Sequence, residues 1–191
     1  MIPLIGYRER QNKMQPRKQH LIETALTLFN EKGYHATGID LILAESKVSK
    51  ATLYKHFRSK DELILAALQL QHEHVLGMIK GKITNASELG SSRVLALFDG
   101  LHAWFNSDRF YGCNFINASA EYADADDPIH VYAAEHKQAI VDLVRIELAP
   151  EDKSKADQID LLVEGAIVMA HTRGIKDAAL MAKEMARSLI K

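Results

Sequence analysis

Lys50, Thr52, Tyr54, Lys55 and His56 crowd into one short stretch, and Arg58 and Lys60 follow at once. All of these side chains can donate hydrogen bonds to phosphate oxygens or to base edges. Their chemistry is recognition of a polyanion, not bond making. The elements that must position them lie in TGIDLILAESKVSKATLYKHFRSK, residues 37–60. This stretch reads as two short helices joined by a tight turn. Thr37 is expected to cap the first helix, with Asp40 favouring its positive end. Ile39, Ile42 and Leu43 form its apolar face. Ser46-Lys47-Val48 makes the turn. Ser49 caps the second helix, whose apolar residues are Ala51, Leu53, Tyr54 and Phe57. Two helices so joined form a helix-turn-helix, which lays its second helix in the major groove of DNA.

The stretch VSKATLYKHFRSKDEL, with the capped helix at Thr37 and LIETALTLFNEKGYHATGI upstream, resembles the DNA-binding signature of TetR-type (AcrR-type) bacterial repressors. The resemblance covers about the first third of the chain. It implies a DNA-contacting set of Thr37, Ser49, Lys50, Ala51, Thr52, Tyr54, Lys55, His56 and Lys60. Within that set, Tyr54, His56 and Lys60 are expected on phosphate and Lys50 and Thr52 on bases. Two positions depart from the family pattern, which often has Gly where this chain has Lys47 and Ala51. A Lys at the turn must accept a left-handed backbone, at a cost of roughly 1 kcal/mol.

Charge distribution agrees with a DNA-binding head. Residues 1–60 hold eleven Lys and Arg against five Asp and Glu, and residues 61–191 hold thirteen against twenty. The near-neutral total of −1 thus hides a basic head and an acidic body, and only the head suits a polyanion. Residues 1–15, with Arg8, Arg10 and Lys13, read as a basic arm, flexible or reaching the minor groove. One cysteine excludes an internal disulfide framework, which fits a reducing compartment. Met1-Ile2-Pro3-Leu4-Ile5 is too short an apolar run for a signal peptide, and no run approaches the roughly 20 residues of a membrane span. A cytoplasmic location is expected.

Helical spacing predicts about nine helices and no strand. Helix α1 starts near Pro16, with Leu21, Ile22, Ala25, Leu26 and Phe29 as its stripe and Gly33 as its left-handed cap. Helices α2 and α3 are the pair described above. Helix α4 opens on a Ser59–Glu62 capping box and runs to about Lys82, weakened by Gly77 and Gly81. After a loop over 85–92, α5 covers 93–105 and α6 covers 113–123. Asp127-Pro128 starts α7, which ends before Pro150. Helix α8 covers 155–173 and α9 begins at Asp177, with Arg187 and Lys191 in its last turn. The division expected is a head over 1–60 and a body over 61–191.

The body offers no catalytic or metal motif. A Gly-rich phosphate loop, His-Glu-x-x-His and Cys-x-x-Cys are all missing from the sequence, so no cofactor and no metal are expected. His72 and His74, like His130 and His136, are poorly spaced as ligand pairs. Cys113 reads as a small buried hydrophobe, with redox sensing left open. The stretch GCNFINASAEYAD, residues 112–124, resembles the effector-domain segment of some TetR-type regulators. Trp104, Phe105, Phe110, Phe115 and Tyr122 are denser than the 7% aromatic content of the whole chain. Such crowding means that the rings pack on each other or surround something. The candidate ligand set is His102, Trp104, Phe105, Phe110, Phe115, Asn117, Glu121, Tyr122, Met169 and His171, an apolar pocket with few polar groups.

From Leu161 to Ala170, α8 is apolar almost all round, broken only by Glu164. A helix greasy on every side is buried on every side, which in so small a chain points to a second copy. The expected interface is Leu162, Ala166 and Ala170 of α8 with Ala178, Met181, Met185 and Leu189 of α9, closed by a two-fold axis into a four-helix bundle. Together these readings describe an all-α, two-part homodimer. It is expected to repress transcription at a palindromic operator and to be released by a small organic effector. The alternatives are an enzyme with an apolar pocket and an accessory DNA-binding fold, or a constitutive DNA-binding protein with no effector.

Overall fold

The computed structural model describes residues 16–87 and 89–190. The basic arm with Arg8, Arg10 and Lys13, and Lys191 at the other end, lie outside these residues. Nine α-helices and two 3₁₀ turns, with no strand, account for the regular structure of the described residues. They are α1 Pro16–Lys32, α2 Ile39–Ser46, α3 Lys50–His56, α4 Lys60–Thr84, α5 Ala96–Phe105, α6 Asn114–Glu121, α7 Pro128–Glu147, α8 Ala156–Arg173 and α9 Ala178–Leu189. No helix among the described residues is long and apolar enough to cross a membrane.

The chain forms two compact units that divide between Leu70 and Gln71. The division therefore falls inside α4 and not at its start. Leu63, Ile64, Ala67 and Leu68, on the first turns of α4, are fully buried and count with the head. In that head, α1 packs on α2 and α3. Leu21, Ile22, Ala25 and Phe29 of α1 bury against Ile42 and Leu53, and Tyr34 stacks on Phe29 with ring centroids 5.2 Å apart.

Thr37 departs from expectation. Gly38 occupies the N-cap of α2, and no side chain caps that end. The Thr37 hydroxyl instead donates to the carbonyls of Leu28 and Gly33 at 3.2 and 2.7 Å, and the residue is fully buried. The hydroxyl closes the C-terminal turn of α1, where orphan carbonyls need donors. Ser49 does cap α3, accepting from the Thr52 amide at 3.2 Å. Lys47 holds the left-handed turn at φ 56°. At α4, the Glu62 amide donates to Ser59 Oγ while Glu62 Oε2 accepts from the Arg58 amide, one residue earlier than a reciprocal box requires.

In the body, α9 packs on α8 and α5, α6 packs on α7, and α8 packs on α7 and α5. Helix α5 starts later than its periodicity suggests, because residues 90–95 wind as a 3₁₀ turn that buries Val94 and Leu95. Asp127 caps α7 through the Ile129 amide at 2.7 Å, with Pro128 in the first turn. The alanines of α9 (Ala178, Ala179, Ala182 and Ala186) all point inward. Small side chains there let α9 approach its neighbours closely, and Ala166, Ala170 and Ala178 of the expected interface set are buried within the chain. The outward apolar positions of α8 and α9 are Leu161 at 73% exposure, Val168, Leu180, Met181, and Met185 at 57%. Of the expected interface set, Met181 and Met185 face outward, and Leu162 and Leu189 are half-buried.

Lys47 is exposed and left-handed, so glycine should fit its backbone better than any L side chain. Lys47→Gly is expected to stabilise the protein by about 0.5–1 kcal/mol in urea unfolding. A loss of stability would show that the turn is not strained.

Candidate nucleic-acid interface and ligand cavity

Helix α3 is divided by burial. Leu53 and Phe57 sink into the head, while Lys50, Ala51, Tyr54 and Lys55 stand exposed and Thr52 and His56 are half-buried. Residues 50, 51, 54 and 55 recur at helical spacing, so they form one outward stripe. Ser49 and Thr52 hydroxyls lie 2.9 Å apart, one holding the other while capping the helix. Lys60 is half-exposed at the start of α4. Lys18 Nζ sits 5.4 Å from the Phe57 ring centroid, bracing α1 against the end of the reading helix. Thr37, expected in the contact set, is buried with its hydroxyl on two carbonyls.

In the body, a cavity of about 240 Å³ opens among α4, α5, α7 and α8. Val75, Met78 and Ile79 of α4, Leu97, Leu101 and Trp104 of α5, Ile140 of α7, and Val163 and Ile167 of α8 make its wall apolar. Cys113, Asn114, His136, Lys137 and Glu164 form one polar corner in the lining, and Gln71, His74 and Lys82 of α4 add further polar side chains. Lys137 Nζ donates to Glu164 Oε1 at 2.7 Å and to Cys113 Sγ at 3.3 Å. Burial alone would pull the Lys137 ammonium down, but Cys113 and Glu164 outweigh it and hold its pKa above the ordinary value.

His136 forms the floor of that corner. Its ring stacks on Phe115 with centroids 3.4 Å apart, and its Nδ1 lies 2.9 Å from His72 Nδ1. Burial, then Lys137 and His72, push its pKa down to about 3, so the ring is neutral at physiological pH. His72 is lowered as well, mainly by burial. Tyr132, beside His72, is pushed up to about 12 by burial and by Glu73 and Glu135. Among the described residues no three His, Cys, Asp or Glu side chains converge to hold a metal.

Of the ligand residues expected from sequence, Trp104 and Phe115 line this cavity. The others do not. Phe105 is fully buried, and Phe110 packs on Trp104 and Phe105 at 4.9 and 5.0 Å between centroids. The aromatic density of this region is therefore largely rings packed on rings. His171 touches Phe110 from the far side, and His102 Nδ1 lies 3.3 Å from the Lys176 carbonyl. Asn117 donates to the Tyr111 carbonyl. Glu121, Tyr122 and Met169 are not in the cavity wall. Sequence reasoning missed His136, Lys137, Glu164 and the α4 residues. Glu164, the lone charge in an otherwise apolar run, was the available signal.

Residues 21–67 match the family model described as bacterial regulatory proteins, tetR family. A 75-residue stretch is 39% identical to the HTH-type regulator YerO of Bacillus subtilis, covering 39% of this chain and 25% of that protein. A 65-residue stretch is 45% identical to the HTH-type transcriptional activator FasR of Mycolicibacterium smegmatis, covering 34% of this chain and 28% of that one. The match thus spans only about a quarter of those relatives. Over its whole length the chain resembles the crystal structure of a TetR-family transcriptional regulator from Streptomyces coelicolor. The TM-score is 0.81 at 26% identity, with 99% of this chain and 95% of that one covered.

Behind the cavity corner, burial and the Glu164 carboxylate push the Asp160 carboxyl up to about 6, against a smaller pull from Lys137. One Asp160 oxygen is buried without a hydrogen-bond partner among the described residues. A raised acid pKa means that the folded state holds the proton more firmly than the unfolded one, whose value is near 3.8. Ionised Asp160 therefore costs stability, increasingly as pH rises from 3.8 to about 6. Discounted for solvent access, Asp160→Asn should stabilise by about 1 kcal/mol at neutral pH. The gain should fade toward pH 4 in urea titrations. A gain equal at both pH values would place its origin elsewhere.

Proposed function

We propose that this member of the TetR family of bacterial regulatory proteins, a DNA-binding transcriptional regulator, works in the cytoplasm as a homodimeric repressor. It binds a palindromic operator and is released by a small organic effector held in the body cavity. The observation that carries the reading is the exposed stripe of Lys50, Tyr54 and Lys55 on a capped, buried-backed α3. An enzyme is not supported, since the relatives and structural neighbours are transcriptional regulators.

Effector and DNA would be coupled through α4. That helix begins beside α3 in sequence and lends Val75, Met78 and Ile79 to the cavity wall. A ligand shifts the balance between DNA-competent and released states only by its difference in affinity for them, typically ~1–3 kcal/mol. Fluorescence anisotropy on a candidate operator, with and without organic compounds and divalent metals, tests release. Release by metals alone would overturn the organic effector, and lower promoter output on deleting the gene would overturn repression.

Two substitutions test the surfaces. Lys60→Ala should weaken binding to every DNA sequence and lower the salt slope by about 1, whereas Lys50→Ala should change which operator is preferred. An unchanged salt slope removes Lys60 from the phosphate set. For the dimer, Gly165 lies on the outward face of α8 between Leu161 and Val168, with open space around a built side chain. Gly165→Arg should raise intrinsic helix propensity by about 1 kcal/mol, so the chain stays folded while the facing surfaces are forced apart. Sedimentation is expected to show a folded monomer. A persistent dimer would move the interface off this face.

A further inference from the structure

The polar corner of the body cavity is already balanced in charge but not in hydrogen bonds. Lys137 gives one donor to Glu164 Oε1 at 2.7 Å and another to Cys113 Sγ at 3.3 Å. An ammonium carries three donors, and sulfur is a weak acceptor. Leu101, Ile140, Val163 and Ile167 are among the apolar residues of the same wall, and α4 adds the polar side chains of Gln71, His74 and Lys82. A part-buried cation in such a place gains from one more oxygen.

We propose that the effector is an uncharged apolar molecule bearing one carbonyl-type acceptor oxygen (a ketone, quinone, amide or ester), which takes the third donor of Lys137 while the Lys137–Glu164 pair stays closed. This rests on the reading of the cavity as the effector site.

Charged alternatives fare worse for stated reasons. An anion approaching Lys137 meets the Glu164 carboxylate, with Asp160 one turn away on the same helix. Displacing Glu164 leaves a part-buried carboxylate unpaired, which is strongly unfavourable. A cation seeking Glu164 must displace Lys137, whose protonation Cys113 and Glu164 both support. A neutral acceptor breaks neither contact. The volume of about 240 Å³ is roughly eight times the ~30 Å³ share of a liquid water. It suits a compact ring body.

The test uses the intact protein and four ligands sharing one body: 1-adamantyl methyl ketone, adamantane-1-carboxylate, 1-adamantylmethylammonium and 1-ethyladamantane. Trp104 is the only tryptophan and lines the cavity, so its emission reports entry directly, with calorimetry for affinity. The ketone is expected to bind at least tenfold tighter than either ion and more tightly than the hydrocarbon. Lys137→Met should erase its advantage over the hydrocarbon. Glu164→Gln, which leaves Lys137 without a counter-charge, should turn the preference toward the carboxylate. Tightest binding of either ion to the wild type, or a ketone no better than the hydrocarbon, overturns the assignment. The wild-type ranking decides even if a variant fails to fold. If no member of the series binds, the hydrocarbon included, the cavity is not the effector site, a different failure from a wrong head group.

Discussion

The ion pair between Lys137 of α7 and Glu164 of α8 is the constraint around which the body is arranged. Both side chains are largely buried, at 24% and 28% exposure. Removing charges from water costs several kcal/mol per ion, and their attraction recovers this only with good geometry and added hydrogen bonds. The 2.7 Å contact and the Cys113 sulfur supply these. Such a pair adds little net stability compared with a hydrophobic substitute, but breaking it is expensive. It thus joins two helices where apolar packing gives way to a cavity.

The same division of labour recurs on α9 and α8. On α9 alanine faces inward, where helices approach closely, while Met181 and Met185 face outward, and α8 leaves Leu161 and Val168 exposed. A chain folding alone gains by burying its largest apolar groups. Here the inner side of α9 is built from alanines, α8 buries Ile159, Val163 and Ile167 beside its own alanines, and Leu161, Val168, Leu180, Met181 and Met185 are left exposed.

In the head, the recognition surface is what remains after the core has taken its share. Leu53 and Phe57 anchor α3, Ser49 caps it, and Thr37 closes α1. Lys47 accepts a strained turn that glycine would take freely. What is left on α3 is a stripe of cationic and aromatic donors, held on a short helix whose position is set by packing.

The helical class, the helix-turn-helix, the Ser49 and Asp127 caps and the left-handed Lys47 were legible in residue order. Each depends on neighbours within a few positions, and caps, turns and helical periodicity are local chemistry. Periodicity also marked the stripes of α8 and α9 as apolar. It did not say which residues on them face inward, because two apolar sides of one helix look alike until another helix covers one. Only the packing of α9 on α8 and α5 turned Ala166, Ala170 and Ala178 inward and left Met181 and Met185 outside. The cavity was hidden for the same reason. Its wall draws Val75, Trp104, Lys137 and Glu164 from four helices, and no sequence interval reveals that separation in space. The aromatic cluster of Trp104, Phe105 and Phe110 packs on itself, since rings close in sequence on α5 and its following loop can reach each other. Local interactions settled the elements, and long-range burial settled which of their faces meet.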